Sequence, residues 1–300
     1  MLSESGKKWR DVGKKDIHNM VNACVEKAAE NYKDSVFEQS MRSKYVIYRI
    51  HRIMGRTIET MVEQMKRGDF EQSAYEISFQ ALNHLEETHI QLEDGREMNL
   101  HGRIDRIDTI ETKDNTFVRV IDYKTGATEF ELTSFYYGLQ MQLVVYLETA
   151  MALEKRKSGK EPVPAGMYYY HVKDPMLSVY EQDDEKRKEM FMKELALDGF
   201  AVADQRADTT PPGVLAKKKN LLTEKEIRGM ISHTRKRMCE FGNEILKGNK
   251  EIKPYKLGTK TGCDYCEYQS ICRFDEKKTG DSYQYFEKLK AEEVWGKINE

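Results

Sequence analysis

The sequence predicts an α/β fold, a mixed β-sheet core flanked by helices with further helical additions at both ends. Three observations carry that expectation. Apolar residues recur at three- and four-residue spacing from Asp16 to about Lys66, give way to alternation between residues 74 and 126, and return to helical spacing afterwards. Two alternating segments, 98–111 and 116–126, flank the turn-prone Lys113–Asp114–Asn115 and therefore pair as an antiparallel hairpin. The resulting order is helices, then strand–hairpin–helix–strand, then helices, which describes a mixed sheet rather than a bundle or a sandwich.

The elements follow in order. Val21, Val25, Ala28 and Ala29 mark a first helical segment. Ile47, Ile50, Met54, Ile58, Met61 and Met65 form a cleaner stripe in a second, ended by Gly68. AYEISF (74–79) is a short strand by alternation and β-propensity. MNLHGRIDRIDTIE (98–111) and TFVRVIDYKTG (116–126) are the hairpin strands. An amphipathic helix is expected from about Ser134 to Lys155, then an aromatic-rich strand, AGMYYYHV (165–172), and a helix over 183–198. The stretch 201–222, with TTPPG and KKKN, reads as a loop, and a helix is expected from about Thr223 to Lys247. This divides the chain into an N-terminal helical region (1–70), a core (71–200) and a C-terminal helical and cysteine-bearing region packed on it (201–300).

Composition sets limits without choosing a function. The chain of 300 residues is 39% hydrophobic and 33% charged with a formal net charge of −2, values of a globular protein rather than a disordered one. A near-neutral balance neither requires nor excludes a local basic groove for nucleic acid. No run of eighteen apolar residues is present, so no membrane-spanning helix is expected. The opening MLSESGKKWRDVGKKD has no apolar stretch of the signal-peptide kind, which leads us to expect a cytoplasmic protein.

Asp122 and Lys124 stand two apart on an expected strand, so both side chains project from one face. Asp105, on the partner strand, can face the same side. Two carboxylates converging from neighbouring strands make a hard-oxygen pocket suited to Mg²⁺ or Mn²⁺, and a lysine beside it can handle a proton or offset phosphate charge. Taken singly, an Asp-x-Lys on a strand is more often solvated charge. Here the charges are interleaved with Ile104, Ile107, Val120 and Ile121, which makes the strands half-buried and an uncompensated carboxylate expensive.

The motif order also resembles a known family. The Asp105 of GRID is followed seventeen residues later by the Asp122 of DYK and then by Gln142-x-x-x-Tyr146 on a helix. This resembles the RecB-type branch of the PD-(D/E)XK (restriction-endonuclease-like) nucleases. More narrowly, GRIDRID, VIDYKTG, YYGLQMQLVVYLETA and PAGMYYYHVKDPM together resemble the nuclease domain of the AddB family, second subunits of bacterial AddAB (RexAB) helicase–nucleases; the likeness runs from about Lys44 to Asp275. The resemblance implies that Asp105 and Asp122 bind the metal, that Lys124 is the catalytic lysine, and that Gln142 and Tyr146 orient the site or touch DNA backbone. Glu76 corresponds to a glutamate that often precedes the hairpin in this superfamily, although a surface strand glutamate accounts for it equally well. The family's G-x-x-x-H histidine has no counterpart here. His18 lacks the glycine context, and His51, His84, His89 and His101 read as surface residues. The chain is accordingly expected to begin after that motif.

Five cysteines occupy positions 24, 239, 263, 266 and 272. Cys263-x-x-Cys266 with Cys272 close behind reads as a ligand set for zinc or an iron–sulfur centre, between which spacing does not decide. The resemblance implies a [4Fe–4S] cluster with one distant N-terminal cysteine as fourth ligand and a structural role. Cys239 lies in helical pattern. Cys24 shares an apolar face with Val21, Val25 and Ala28, so it is expected to pack in the helical core, far from the other three, leaving the tail centre incomplete, loosely ordered or filled from outside.

The function these readings imply is an Mg²⁺-dependent DNA exonuclease domain. It would act on single-stranded DNA delivered by an AddA-like helicase subunit, in double-strand-break repair by homologous recombination. No G-x-x-x-x-G-K-[ST] loop occurs, so ATP-driven unwinding is expected from another polypeptide or segment. The rival from another class is a non-catalytic DNA-binding or scaffolding module that keeps the nuclease fold. A zinc-bound partner-recognition domain is a third possibility.

Overall fold

A computed structural model describes residues 7–30, 40–177, 183–202, 221–278 and 280–298. In chain order its elements are α1 (Lys14–Glu30), α2 (Met41–Lys66), β1 (Glu71–Ser78), β2 (His89–Gln91), β3 (Glu97–Asn99), β4 (Arg103–Glu111), β5 (Asn115–Lys124), α3 (Leu132–Tyr136), α4 (Gln142–Ser158), β6 (Glu161–His171), α5 (Asp184–Glu194), β7 (Asp198–Val202), β8 (Leu221–Leu222), α6 (Glu224–Leu246), β9 (Tyr255–Leu257), β10 (Lys260–Thr261), α7 (Gln269–Cys272), β11 (Gln284–Phe286) and α8 (Ala291–Ile298). Two of the long helices, α2 and α6, start where capping residues satisfy their first amides. Ser40 accepts the Ser43 N–H at 3.2 Å ahead of α2, and Thr223 with Glu226 forms a reciprocal box ahead of α6.

One six-stranded sheet runs β1-β4-β5-β6-β7-β8. Strand β4 is antiparallel to β1 and β5, β5 is parallel to β6, β6 is antiparallel to β7, and β7 is parallel to β8. The parallel β5–β6 pair requires a crossover, and α4 supplies it. Leu143, Val144, Leu147 and Ala150 of α4 pack on Ile104, Ile107, Val118, Val120 and Met167, all at most 1% exposed. At about 1.5–3 kcal/mol for each fully buried large aliphatic side chain, this contact fixes α4 on the sheet, and residues at its start inherit that fixity. The opposite face carries Ile121, Tyr168 and Tyr170, covered by Leu195, Leu197 and the C-terminal half of α2, whose Met61 meets the Tyr123 hydroxyl at 3.6 Å.

Three expected elements are refined. The segment 98–111 is two strands: Glu97–Asn99 pairs with β2 as a separate small hairpin, and the sheet strand begins at Arg103. Between them the Gly102 carbonyl accepts the Phe79 N–H at 3.0 Å, turning the chain from one ladder to the other. The helix expected from Ser134 to Lys155 is broken after Tyr136, where Gly138 adopts φ +82°, and resumes at Gln142. The helix expected over 183–198 stops at Glu194, and Asp198–Val202 joins the sheet between β6 and β8 instead. Of the expected loop 201–222, Ala201, Val202, Leu221 and Leu222 are strand residues, and 203–220 lie outside the described residues. Among the described residues no helix is long and apolar enough to cross a membrane.

The C-terminal region adds a small sheet, ordered β10-β9-β11. It is tied to the core through the Lys260–Glu131 ion pair (3.0 Å) and through Thr133, whose hydroxyl donates to the Leu289 carbonyl at 3.1 Å. Val294 of α8 is fully buried.

Candidate active site

The alternation of β5 sets the site. Val118 and Val120 enter the core beneath α4, so Asp122 and Lys124 continue the same face, while Arg119, Ile121 and Tyr123 point to the other. Asp122 is 3% exposed, and Lys124 is half-buried beside it with Nζ 2.5 Å from Asp122 Oδ2. The same ammonium donates to Gln142 Oε1 at 3.0 Å, and Gln142 Nε2 donates to the Tyr146 hydroxyl at 2.9 Å. Tyr146 is itself seated edge-on against Phe79, with ring centres 5.7 Å apart. Asp122, Lys124, Gln142 and Tyr146 thus form one continuous polar chain at the C-terminal end of β5 and the N-terminal end of α4.

Asp105 joins it from β4. Its Oδ2 accepts the backbone N–H of Tyr123 at 2.9 Å, a donor that a ladder carbonyl would otherwise take. The regular β4–β5 register begins one residue later, at Arg106↔Ile121. Ile104 and Ile107, three apart, both enter the α4 core, so strict alternation is broken between them. On the neighbouring strand Glu76 has φ +49°, a left-handed conformation unusual for glutamate. Glu76 itself is exposed and pairs with Arg103 at 3.4 Å, outside the polar chain of the site.

Burial pushes the Asp122 carboxyl above the usual range, the nearby Asp105 charge adds to this, and Lys124 opposes both. Asp122 Oδ2 is sealed from solvent, and among the described residues its close contact is the single ammonium of Lys124. A buried carboxylate oxygen in that state, next to a second carboxylate, fits a divalent cation with a preference for oxygen ligands. Among the described residues no group of three or more His, Cys, Asp or Glu side chains is placed to hold an ion, so a cation here would draw on two carboxylates.

Several participants carry no motif of their own in the sequence. Tyr169 lies directly across from Asp122 on β6, its ring centre 5.4 Å from Lys124 Nζ, and burial with the Asp122 and Asp198 charges pushes its hydroxyl up to about 12. Asp198 stands opposite Tyr169 on β7 with a buried Oδ2 that has no hydrogen-bond partner. On the other sheet face, Asp108 is fully buried between Arg106 (2.7 Å) and Arg119 (2.8 Å), and Arg119 lies 3.9 Å over the Phe70 ring. Position was the available signal: Arg119 is an odd number of residues from Asp122, so its cross-strand partner Asp108 must face away from the site.

The cysteines behave differently. Cys263 and Cys266 share a turn in which the Cys266 N–H donates to the Cys263 carbonyl at 3.2 Å, and Cys272 ends α7. Among the described residues these three half-buried thiols are not gathered as a three-ligand group. Cys239 sits on α6, its thiol 3.4 Å from the Gln91 carbonyl. Cys24 is exposed, which corrects the expectation that it packs in the helical core: Ile17, Val21 and Val25 face α2, and Cys24 falls to the side of that stripe.

The PD-(D/E)XK nuclease superfamily model matches residues 4–273. Curated relatives named as subunits of an ATP-dependent helicase/deoxyribonuclease include one from Alkaliphilus oremlandii (strain OhILAs), 32% identical over 97% of this chain and 27% of its own. That of Clostridium perfringens (strain SM101 / Type A) is 32% identical over 100% of this chain and 28% of its own. That of Thermoanaerobacter sp. (strain X514) is 29% identical over 99% and 27%. The chain therefore spans just over a quarter of the length of these relatives.

Proposed function

We propose, from the premise that this chain belongs to the PD-(D/E)XK nuclease superfamily, that it is a metal-dependent deoxyribonuclease module. The observation that carries the reading is the buried carboxylate of Asp122, beside Asp105 and in contact with Lys124, at the head of the Lys124–Gln142–Tyr146 chain. Asp105 and Asp122 would hold Mg²⁺ or Mn²⁺, which when bound lowers the pKa of a coordinated water and offsets charge on a phosphoryl oxygen. Lys124 stands at the edge of the carboxylate pair, where it can orient the attacking water or neutralise a phosphate oxygen. Gln142, held by the Tyr146 hydroxyl, fixes the rotamer of Lys124, and the Tyr169 ring closes the other side of the ammonium.

The name the relatives carry, a subunit of an ATP-dependent helicase/deoxyribonuclease, supports a DNA substrate and a helicase partner. That the strand is single when delivered, that the partner is AddA-like and that the setting is repair of double-strand breaks rest on the motif resemblance alone. Cys263, Cys266 and Cys272 stay as proposed ligands of a [4Fe–4S] cluster, with zinc as the alternative, on their spacing alone. The direct test is cleavage of end-labelled single-stranded DNA with Mg²⁺, against EDTA and against Lys124→Ala. Metal-dependent cutting that Lys124→Ala abolishes supports the enzyme reading. Binding without any cutting assigns the chain to a DNA-binding or scaffolding role.

A further inference from the structure

We infer that the N-terminal half of α2 is a single-stranded DNA-binding arm that leads the strand to the catalytic end of the sheet. The inference rests on the nuclease reading for its functional sense, but its evidence is separate. From Met41 to Ile58 the helix contains no acidic residue and five basic ones, Arg42, Lys44, Arg49, Arg52 and Arg56. Such a run on a chain of net charge −2 is a local bias, not a reflection of overall composition. Arg42, Tyr45, Arg49, Arg52 and Arg56 recur at three- and four-residue spacing and so share one face, with Tyr48 a turn before Arg52. Tyr45 and Tyr48 are 57% and 60% exposed, far more than buried ring packing allows. The other side of the helix packs on α1 through Ile47, Ile58 and Val62, with Val46, Ile50 and Met54 left partly exposed beside that contact.

The placement follows from contacts along the helix. Met65 touches Arg106, which pairs with Ile121; Met61 touches Tyr123, one step nearer the site. Arg56 and Arg52 both grip Asp174, three residues past His171, the β6 partner of Lys124. Followed from its C-terminus, α2 therefore runs along the sheet toward the catalytic end and extends past it, with Met41–Arg49 beyond. Arg42, Lys44 and Arg49 are exposed and form no ion pair among the described residues, whereas Arg52 and Arg56 are committed to anchoring the arm. Free cations interleaved with exposed tyrosines match a flexible polyanion with unpaired bases: the cations take phosphates and the rings take base faces. A protein partner would be expected to meet the apolar residues with few cations among them.

The test is fluorescence anisotropy of the full chain with labelled oligo-dT of about 20 nucleotides in EDTA, where no cleavage occurs. The triple variant Arg42→Ala/Lys44→Ala/Arg49→Ala should flatten the plot of log affinity against log salt by about 2 units, at about 0.7 for each single-strand phosphate that is no longer neutralised. Tyr45→Ala and Tyr48→Ala should each weaken binding about five-fold or more, and annealing the oligo-dT to oligo-dA should remove that tyrosine dependence. Unchanged affinity and slope in these variants, with unchanged circular dichroism, overturns the inference. So does loss of association with a helicase subunit while DNA binding stays intact, which would make the face a protein-docking surface. Lys124→Ala separates the two readings: its loss of cleavage bears on the site, and the arm stands if the affinity that variant retains for oligo-dT still depends on Tyr45 and Tyr48.

Discussion

Asp122 and Asp108 lie on adjacent strands, face opposite sides of the sheet, and hold their carboxyl groups in opposite states. Burial pushes Asp122 above the usual carboxylate range. Burial would do the same to Asp108, but Arg106 and Arg119 outweigh it and hold that group below the range. One carboxylate is held between two buried arginines, and the other meets a single half-buried lysine.

Removing the site's polar chain should therefore affect cutting and leave the fold intact. Asp122→Ala and Lys124→Ala are each expected to lower the cleavage rate at least about a hundred-fold, the scale seen when a preorganised charge-stabilising group is removed. Thermal melts should stay cooperative, because the α4 core of Leu143, Leu147 and Val120 is untouched. Retained cleavage in either purified variant would point to a contaminating nuclease or to another site.

Asp122→Asn should raise the melting temperature in metal-free buffer at neutral pH. The substitution removes a buried charge that the fold does not fully compensate, so the folded state gains relative to the unfolded one. Added Mg²⁺ should then stabilise the natural chain and not the variant, since only the former binds it in the folded state. Calorimetry with and without Mg²⁺ checks both halves.

Asp108 should show the reverse. Asp108→Ala leaves two buried guanidinium groups facing each other and is expected to cost about 3–5 kcal/mol. The folded Asp108 titrates below its unfolded value, so its contribution is fully present above the ordinary aspartate range and fades as pH falls through the folded value. Comparing Asp108→Asn with the natural chain by denaturant titration from pH 7 downward should show a gap that is constant at first and closes only in strong acid.

Gly138→Ala should slow cleavage as well as destabilise. Gly138 has φ +82°, and a Cβ there would come within 2.9 Å of the Phe241 ring. Its turn ends α3 and lets α4 restart at Gln142, so strain at 138 should displace the residue that holds Lys124. The double variant with Phe241→Ala relieves the clash but not the left-handed backbone, and should recover only part of the melting temperature.

Iron and sulfide analysis of protein prepared without oxygen tests the tail. Cys263→Ser or Cys266→Ser should remove any iron present. Cys24→Ala should change nothing, since Cys24 lies exposed on α1. A four-iron cluster that disappears in Cys24→Ala would overturn that placement.

The sheet and the polar chain are legible in the sequence because both rest on short-range periodicity. Alternation in VRVIDYK fixes which residues share a face, and Gln142-x-x-x-Tyr146 is one helical turn, so two of the contacts at the site, Asp122–Lys124 and Gln142–Tyr146, follow from spacing alone. The features that are not legible depend on register and on interruption. Asp105 reaches Tyr123 N through an irregularity that period-two reasoning does not anticipate. The break at Gly138 hides inside an otherwise helical pattern, and Tyr169 and Asp198 become neighbours of Asp122 only once the strand order is known. Cys24 departs from expectation because its neighbours at 21, 25 and 28 suggest a broader buried stripe than α2 covers.

Helix α8 has a consequence for the order in which the domain can be completed during synthesis. Val294 is fully buried although it lies in a helix of only eight residues, and Thr133, just ahead of the segment bearing Gln142, is tied to Leu289 immediately before that helix. A ribosome moving at about 5–20 residues per second releases β5 and α4 several seconds before Val294 emerges. Over that interval a nascent chain carries β5 and α4 without the segment that packs on α3, and completion of that contact waits for Leu289 and Val294 to leave the exit tunnel.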